Sequence, residues 1–188
     1  MIWSKRPSRR AICDWRLEVM ARNNIVDTVW RIGPIEEAAR LACQLIGDLR
    51  TRPVAGTDMA MVFSNLMEIL SEMGRLDEAA AVAREAIPIM RRSRNWFLEG
   101  WVYTFWRCGH VEAAVRLLGK LDAQHAGSAI TLQANERRLI AQVRAALAEN
   151  LSPVELSNGS AQGAGLSETE VADLIFAALD KPTAPADA

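Results

Sequence analysis

The sequence is poor in the residues that most often build catalytic and metal sites. Its 188 residues include one tyrosine, two histidines and three cysteines. The cysteines, Cys13, Cys43 and Cys108, form no C-x-x-C pair and have no histidine at ligand spacing. This pattern argues against a structural zinc site and against a disulfide framework. We therefore expect a reducing, cytoplasmic setting and neither a metal nor another cofactor.

An excess of charge of one sign and long apolar runs are also missing. The chain has 22 basic and 23 acidic side chains, so it lacks the positive field that non-specific nucleic-acid binding requires. No stretch approaches 18 uncharged apolar residues, so no transmembrane helix is predicted. Asp14, Arg16 and Glu18 interrupt what would be the apolar region of an export signal after the Arg9-Arg10 pair. We expect no membrane partner, and the charge balance argues against nucleic acid.

No set of residues in the sequence forms an enzyme motif. The G-x-x-x-x-G-K-[ST] phosphate loop does not occur. Cys108 and His110 are two positions apart across a helix end, which orients a nucleophile and its base poorly, and a buried thiol beside a turn explains them better. The neighbouring acids Glu36-Glu37 and Asp77-Glu78 are explained by helix-start charge. We expect no catalytic residue and no enzyme.

A turn motif recurs three times along the chain. Each copy has a glycine, an apolar residue two positions later, an acid at the third position and an alanine at the fifth. Glycine accepts the left-handed backbone that ends a helix, the acid suits the first turn of the next helix, and alanine lets two helix backbones approach closely. The glycines are Gly33, Gly74 and Gly109, and the alanines are Ala38, Ala79 and Ala114.

Apolar columns accompany each turn. The residues eight positions before the three glycines are Ile25, Leu66 and Trp101, and those four before are Val29, Leu70 and Phe105. Apolar spacings of three and four residues on both sides of a turn predict an antiparallel helix pair that is buried on one stripe.

The three turns resemble those of the tetratricopeptide (TPR) family, whose helix-turn-helix unit has about 34 residues. The resemblance covers residues 19–125 and implies an all-α, right-handed superhelical array of antiparallel helix pairs. The sequence departs from the family pattern at the tryptophan-like position, where Arg22, Phe63 and Leu98 stand.

A second resemblance concerns the C-terminal part of the chain. A repeat ending in R-L-L-G at 116–119, a charged helix led by Glu136-Arg137-Arg138, and L-S-x-x-E-V at 166–171 follow in this order. The order is similar to the C-terminal end of bacterial STAND-class signalling ATPases. It implies a regulatory or effector-sensing arm, detached from its ATPase and output domains.

The sequence predicts six segments. Residues 1–18 are a basic N-terminal arm and the start of the first helix, and residues 19–128 are the three repeats. Residues 129–150 form a helix that covers the open end of the array, as solenoids require. Residues 151–166 contain a short helix, begun by the Ser152-Pro153-Val154-Glu155 capping box, and a flexible linker at 157–165. Residues 167–180 form an amphipathic helix that docks on the array or on a partner, and 181–188 a disordered tail.

Aromatic residues concentrate between 96 and 106. Trp101 and Phe105 fall in the apolar columns and are predicted to be core. Other positions correspond to those that line the concave groove of TPR proteins, where large amphipathic side chains typically anchor a protein or peptide partner. These groove candidates are Trp30, Arg31, Met61, Ser64, Glu68, Trp96, Glu99, Tyr103, Trp106 and Arg107.

Two interpretations of the groove remain open at this stage. In the first, it is the binding site of a non-enzymatic interaction scaffold. In the second, the terminal helices fold into it and bury its rings, as tryptophan is largely buried in most proteins. The acids Asp27, Glu68 and Glu99 stand where some TPR domains hold a lysine and asparagine clamp, which argues against binding of chaperone C-termini.

Overall fold

The computed structural model describes residues 9–54, 56–126 and 132–182, and all regular structure within these ranges is α-helical. The predicted all-α class is confirmed. The helices of the described residues are α1 (Arg9–Ile32), α2 (Ile35–Thr51), α3 (Gly56–Glu72), α4 (Leu76–Ser93), α5 (Leu98–Arg107), α6 (Val111–His125), α7 (Ala134–Asn150), α8 (Pro153–Ala164) and α9 (Glu168–Leu179).

The first six helices form three consecutive pairs, and one of the three predicted turns joins the two helices of each pair. The first helices of the pairs, α1, α3 and α5, contact one another in that order. Ala38, Ala79 and Ala114 are fully buried where the second helix of each pair begins. Glu36, Asp77 and Glu112 lie in the first turns of those helices, where the unpaired N–H groups favour negative charge.

The glycine turns follow the sequence prediction in two places and differ in one. Gly74 and Gly109 have φ of 73° and 77°, the left-handed conformation expected at a helix end. Gly33 is not in this region. The reason is Pro34, the N-cap residue of α2, which is extended (φ −68°, ψ 128°) and disfavours helical conformations in the residue before it.

The apolar columns are buried in the second and third pairs but not in the first. Leu66, Leu70, Trp101 and Phe105 are 3% exposed or less, whereas Ile25 is 53% exposed. The prediction that this column is buried in every pair is therefore wrong for Ile25. The helices that α1 mainly packs against are α2, α3 and α7, and none of these covers the side that carries Ile25.

The predicted capping helix corresponds to α7, but its position differs from the prediction. Instead of covering the end of the array, α7 lies along α5 and reaches α1. It buries Leu139, Ile140, Val143 and Leu147. We call the sides of α1, α3 and α5 that it crosses the inner face.

The flexible linker predicted at 157–165 is wrong, because α8 continues as a helix to Ala164. Its glycines are contact points with α6. A Cβ atom on Gly163 would lie 1.8 Å from the carbonyl oxygen of Arg116, and one on Gly119 would lie 2.2 Å from that of Ser160. In this segment, a glycine-rich composition that is typical of linkers lets two helices pack closely.

The two predicted capping boxes are both present. Ser152 pairs with Glu155 at the start of α8, and Ser167 pairs with Glu170 at the start of α9. The α9 helix docks on α4 and α6, and Arg84 of α4 donates a hydrogen bond of 2.7 Å to the carbonyl oxygen of Leu179. The predicted arm at residues 1–8 and most of the predicted tail, residues 183–188, lie outside the described residues.

Candidate interaction surfaces

Most of the groove candidates are covered in the structure. Trp30, Ser64, Glu68, Trp96 and Tyr103 are each 8% exposed or less. Met61, Glu99, Trp106 and Arg107 are half-buried, and Arg31 is exposed. Most of these positions are therefore not open in the structure. The helix that crosses the inner face is α7, which neither interpretation placed there.

Polar contacts hold the first half of α7 against α1 and α3. Nδ2 of Asn135 donates to Oδ1 of Asp27 on α1 at 2.8 Å. The Arg138 guanidinium donates to both carboxylate oxygens of Glu72 on α3, at 2.6 and 2.9 Å. Nε1 of Trp30 donates to the same carboxylate at 2.7 Å.

Glu72 is the centre of this contact. Burial alone would raise the pKa of Glu72, but the hydrogen bonds from Arg138 and Trp30 outweigh it, so its pKa lies below the ordinary range. The carboxylate is therefore ionised at neutral pH. Arg138 also lies over the Trp30 ring, 5.9 Å from its centroid.

Beside this ion pair, carboxyl groups from three helices face one another. Burial raises the pKa of Glu68 well above its ordinary value, and the nearby Glu136 and Glu99 raise it further. Burial likewise raises the pKa of Glu99 and of Glu136. Oε1 of Glu68 accepts a hydrogen bond of 3.0 Å from Ser64, while Oε2 has no partner among the described residues. We call the contact of α7 with the inner face the seat of α7. It is more stable when these acids are protonated.

The aromatic side chains of α5 also contribute to the buried seat. The rings of Tyr103 and Trp106 are 5.7 Å apart, and the Arg107 guanidinium lies 5.8 Å from the Trp106 ring. Burial raises the pKa of Tyr103. A cavity of about 470 Å³ opens next to Trp96 and is bordered by Glu99, His125 and Glu136. These rings pack within the protein and leave Trp106 partly accessible.

The cysteine and histidine at the third turn do not form a nucleophile–base pair in this conformation. Cys108 is 2% exposed, and burial raises its pKa to about 11, so the thiol is protonated at neutral pH. Burial lowers the pKa of His110, whose ring packs edge-on against Phe105 at 5.7 Å. Throughout the described ranges, no three His, Cys, Asp or Glu side chains are grouped so as to hold a metal ion.

The outer face of α1 is an exposed apolar surface that sequence reasoning missed. Leu17, Ile25 and Ile32 are 60%, 53% and 77% exposed. Ala21 and Thr28 lie between them on the same side of the helix, and the Thr28 hydroxyl is bonded to the Asn24 carbonyl oxygen of the same helix at 2.8 Å. We call Leu17, Ala21, Ile25, Thr28 and Ile32 the α1 stripe.

A sequence signal for the α1 stripe does exist. The helix has apolar residues on two sides, because Trp15, Val19, Val26 and Trp30 form a second, buried stripe. An ordinary surface helix has one such stripe. Because Ile25 aligns with Leu66 and Trp101, the repeat pattern assigns it to the core.

No protein-family model, no curated protein and no solved structure matches this chain. Among the described helices, none combines the length and the apolar character that a membrane span requires. Functional inference therefore depends on the surfaces themselves.

Proposed function

We propose that this chain is a non-enzymatic protein-interaction module, built as a TPR-like array of helix pairs in a right-handed superhelix, and that it binds protein through the α1 stripe. One observation carries the proposal. Of the six large hydrophobic side chains that the described residues expose, four lie on α1: Leu17, Met20, Ile25 and Ile32. Contiguous exposed apolar surface of this kind marks interaction sites in soluble proteins.

The repeat pattern supports the same proposal. In the second and third pairs, the positions equivalent to Ile25 and Ile32 pack inside the protein. Leu66, Trp101 and Cys108 are buried, and Met73 is half-buried against the core. The first pair presents these two columns to solvent. A surface that buries an apolar helix face elsewhere in the same fold is suited to receive one from a partner.

The inner face is a less suitable binding site in this conformation, since α7 already occupies it. A partner there would have to displace the Arg138–Glu72 and Asn135–Asp27 contacts and expose Tyr103. For this reason we assign binding to the α1 stripe rather than to the groove positions.

The test is affinity capture from a native lysate with three baits: the wild type, a variant with Ile25→Asp and Ile32→Asp, and a control with Val154→Asp. Val154 is 67% exposed on α8, so the control places the same charge far from the stripe. We expect the wild type and the control to retain the same proteins and the double variant to lose them. Identical captured proteins for all three baits would contradict the proposal.

A regulatory arm of a STAND-class signalling ATPase is the second candidate, and the seat of α7 favours it. The buried acids Glu68, Glu99 and Glu136 weaken the hold on α7 when they ionise, which is a property suited to a helix that moves. Mass spectrometry of the captured proteins distinguishes the two candidates. A captured P-loop ATPase whose turnover changes on adding this chain would support the second candidate. Captured proteins that include no ATPase would support the interaction scaffold.

A further inference from the structure

We propose that the cavity beside Trp96 binds a small organic cation, a molecule that carries an ammonium group on a short carbon chain. The cavity has a volume of about 470 Å³ and lies between the α4–α5 connection, the end of α6 and the start of α7. This volume is in the range of small-molecule sites in proteins. The residues that border the cavity include none from α1, so the proposal does not depend on the α1 stripe.

Two carboxyl groups and two aromatic side chains give the cavity its chemical character. Glu99 of α5 and Glu136 of α7 border it, and so do Trp96 and Phe97 of the α4–α5 connection. A carboxylate forms strong, charge-assisted hydrogen bonds with an ammonium group, and aromatic side chains attract cations. Aromatic surface also packs against a carbon chain. Together these groups favour an organic cation over an anion or an uncharged molecule.

The basic side chains at the cavity compensate this negative charge only weakly. They are Arg94 and His125. The Arg94 side chain is 82% exposed, and its Nε lies 3.9 Å from a carboxylate oxygen of Glu168 at the rim. Nε2 of His125 lies 3.8 Å from Oε1 of Glu99, which is beyond hydrogen-bond distance. A ligand cation would supply the positive charge that the acids of the cavity lack.

The buried carboxyl group of Glu68 is an independent observation in favour of a cation. Glu68 is 3% exposed, and its Oε2 accepts no hydrogen bond from any described residue. Its Oε1 lies close to α5 just after Glu99, since a Cβ atom on Gly100 would be 2.8 Å from it. The negative charges of Glu99, Glu136 and Asp27 all act on Glu68 and raise its pKa. A positive charge bound between Glu99 and Glu136 would offset this repulsion.

A metal ion fits the cavity less well than an organic cation does. Metal sites require several ligand atoms that converge on one point, at roughly 2.0–2.6 Å for magnesium and calcium. No three His, Cys, Asp or Glu side chains of the described residues are grouped in this way. Acids spread around a cavity instead suit a charge that is delivered on a carbon chain, with the aromatic wall beside that chain.

The first experiment measures binding to the full chain by isothermal titration calorimetry at constant ionic strength. The probes are putrescine and butylamine, with 1,4-butanediol and 1-butanol as uncharged molecules of matched length, and magnesium chloride as an inorganic cation. We expect both amines to bind and neither alcohol to do so. No binding of either amine overturns the proposal. So does an alcohol that binds as tightly as its amine, or magnesium that displaces putrescine at equal concentration.

The second experiment locates the bound amine with two variants of matched chemistry. Glu99→Gln keeps the shape of the side chain and removes its charge, so we expect it to lower the affinity for putrescine by at least about tenfold. Glu155→Gln makes the same change at the exposed start of α8 and should leave the affinity unchanged. Circular dichroism checks that both variants are folded. Equal affinities for wild type and Glu99→Gln would place the amine elsewhere and overturn the site.

The pH dependence of binding tests the site without any variant. Burial raises the pKa of Glu99 and of Glu136, and a bound cation favours their ionised forms. We therefore expect the affinity for putrescine to rise between about pH 5 and 8, with protons released on binding. Loss of a proton from His125 over this range acts in the same direction. An affinity that does not change with pH would contradict binding at these carboxyl groups.

Discussion

The first and third helix pairs fill the same repeat columns, yet they bury them to different extents. Ile25 and Trp101 occupy one column and are 53% and 0% exposed; Ile32 and Cys108 occupy another and are 77% and 2% exposed. The repeat pattern therefore tells which side of a helix is apolar. Whether that side is covered depends on the neighbouring helix. The third pair has one, and the described residues supply none on that side of the first pair.

The sharpest test of this difference is to truncate the same column in both pairs. Trp101→Ala removes a fully buried ring that contacts Phe105 at 5.5 Å, and we expect it to lower the free energy of unfolding by about 3–5 kcal/mol. Ile25→Ala should change it by no more than about 0.5 kcal/mol. Both are measured by chemical denaturation at a protein concentration where the chain is monomeric. Similar losses for the two variants would contradict the difference in burial.

A second test concerns the cover that the third pair has. Gly163→Ala places a Cβ atom 1.8 Å from the backbone of Arg116, so α8 must shift away from α6, at a cost of about 1–3 kcal/mol. Gly47→Ala on α2 of the first pair is the matched control, because a Cβ there meets nothing within 4 Å. The control should be stabilised, by up to about 1 kcal/mol, through helix propensity. Thermal melting of both variants checks this; equal melting temperatures would argue against close packing of α8.

The pH dependence of stability tests the seat of α7, which joins the third pair to the first. Glu68 has a raised pKa in the folded protein, so the folded state binds more protons than the unfolded state above the unfolded pKa. The free energy of unfolding is therefore highest below the unfolded pKa of Glu68, and it falls as the pH rises through the folded pKa. Glu99 and Glu136 act in the same direction, and Glu72, with its lowered pKa, acts in the opposite one.

We expect Glu68→Gln to reduce this decline, because glutamine keeps the shape and hydrogen bonding of the protonated acid without ionising. Urea denaturation of the wild type and variant between pH 4 and 8 measures it. Glu155→Gln, at an exposed capping box, serves as the control because the pKa of Glu155 is shifted downward. A wild type and Glu68→Gln with parallel pH profiles would show that the pKa of Glu68 is the same in the folded and unfolded states.

The smallest effect is expected for ion pairs, and we compare one that holds α7 with one on α2 of the first pair. Arg138→Ala breaks the pair with half-buried Glu72 and should cost at most about 1 kcal/mol, since Arg138 is itself 39% exposed. It should also accelerate hydrogen exchange in α7. Arg40→Ala, which breaks the exposed Arg40–Glu37 pair of α2, should change neither measurement. Faster exchange in α7 is the informative result, and unchanged exchange in Arg138→Ala would show that this contact does not hold α7.

Much of the local structure could be predicted from short-range sequence signals. The turns at Gly74 and Gly109, the acids that begin α2, α4 and α6, and the capping boxes at Ser152 and Ser167 all depend on residues within a few positions of each other. The core positions Trp101 and Phe105 also followed from the columns. Of the two errors, the one at Gly33 has a local cause, since Pro34 changes the turn. The other does not: the glycines of α8 resemble those of a linker, and only their packing on α6 shows their role.

The sequence by itself determined that the chain is helical, where most helices begin, and which of their sides are apolar, because helix periodicity and capping act over one or two turns. Only the tertiary structure decided which apolar sides are used inside the molecule. Tyr103 is buried because α7, 30 or so residues further along the chain, crosses the inner face, whereas Ile32 is open because nothing described packs on it. Burial is a property of contacts between segments that are distant in sequence, and no single segment encodes it.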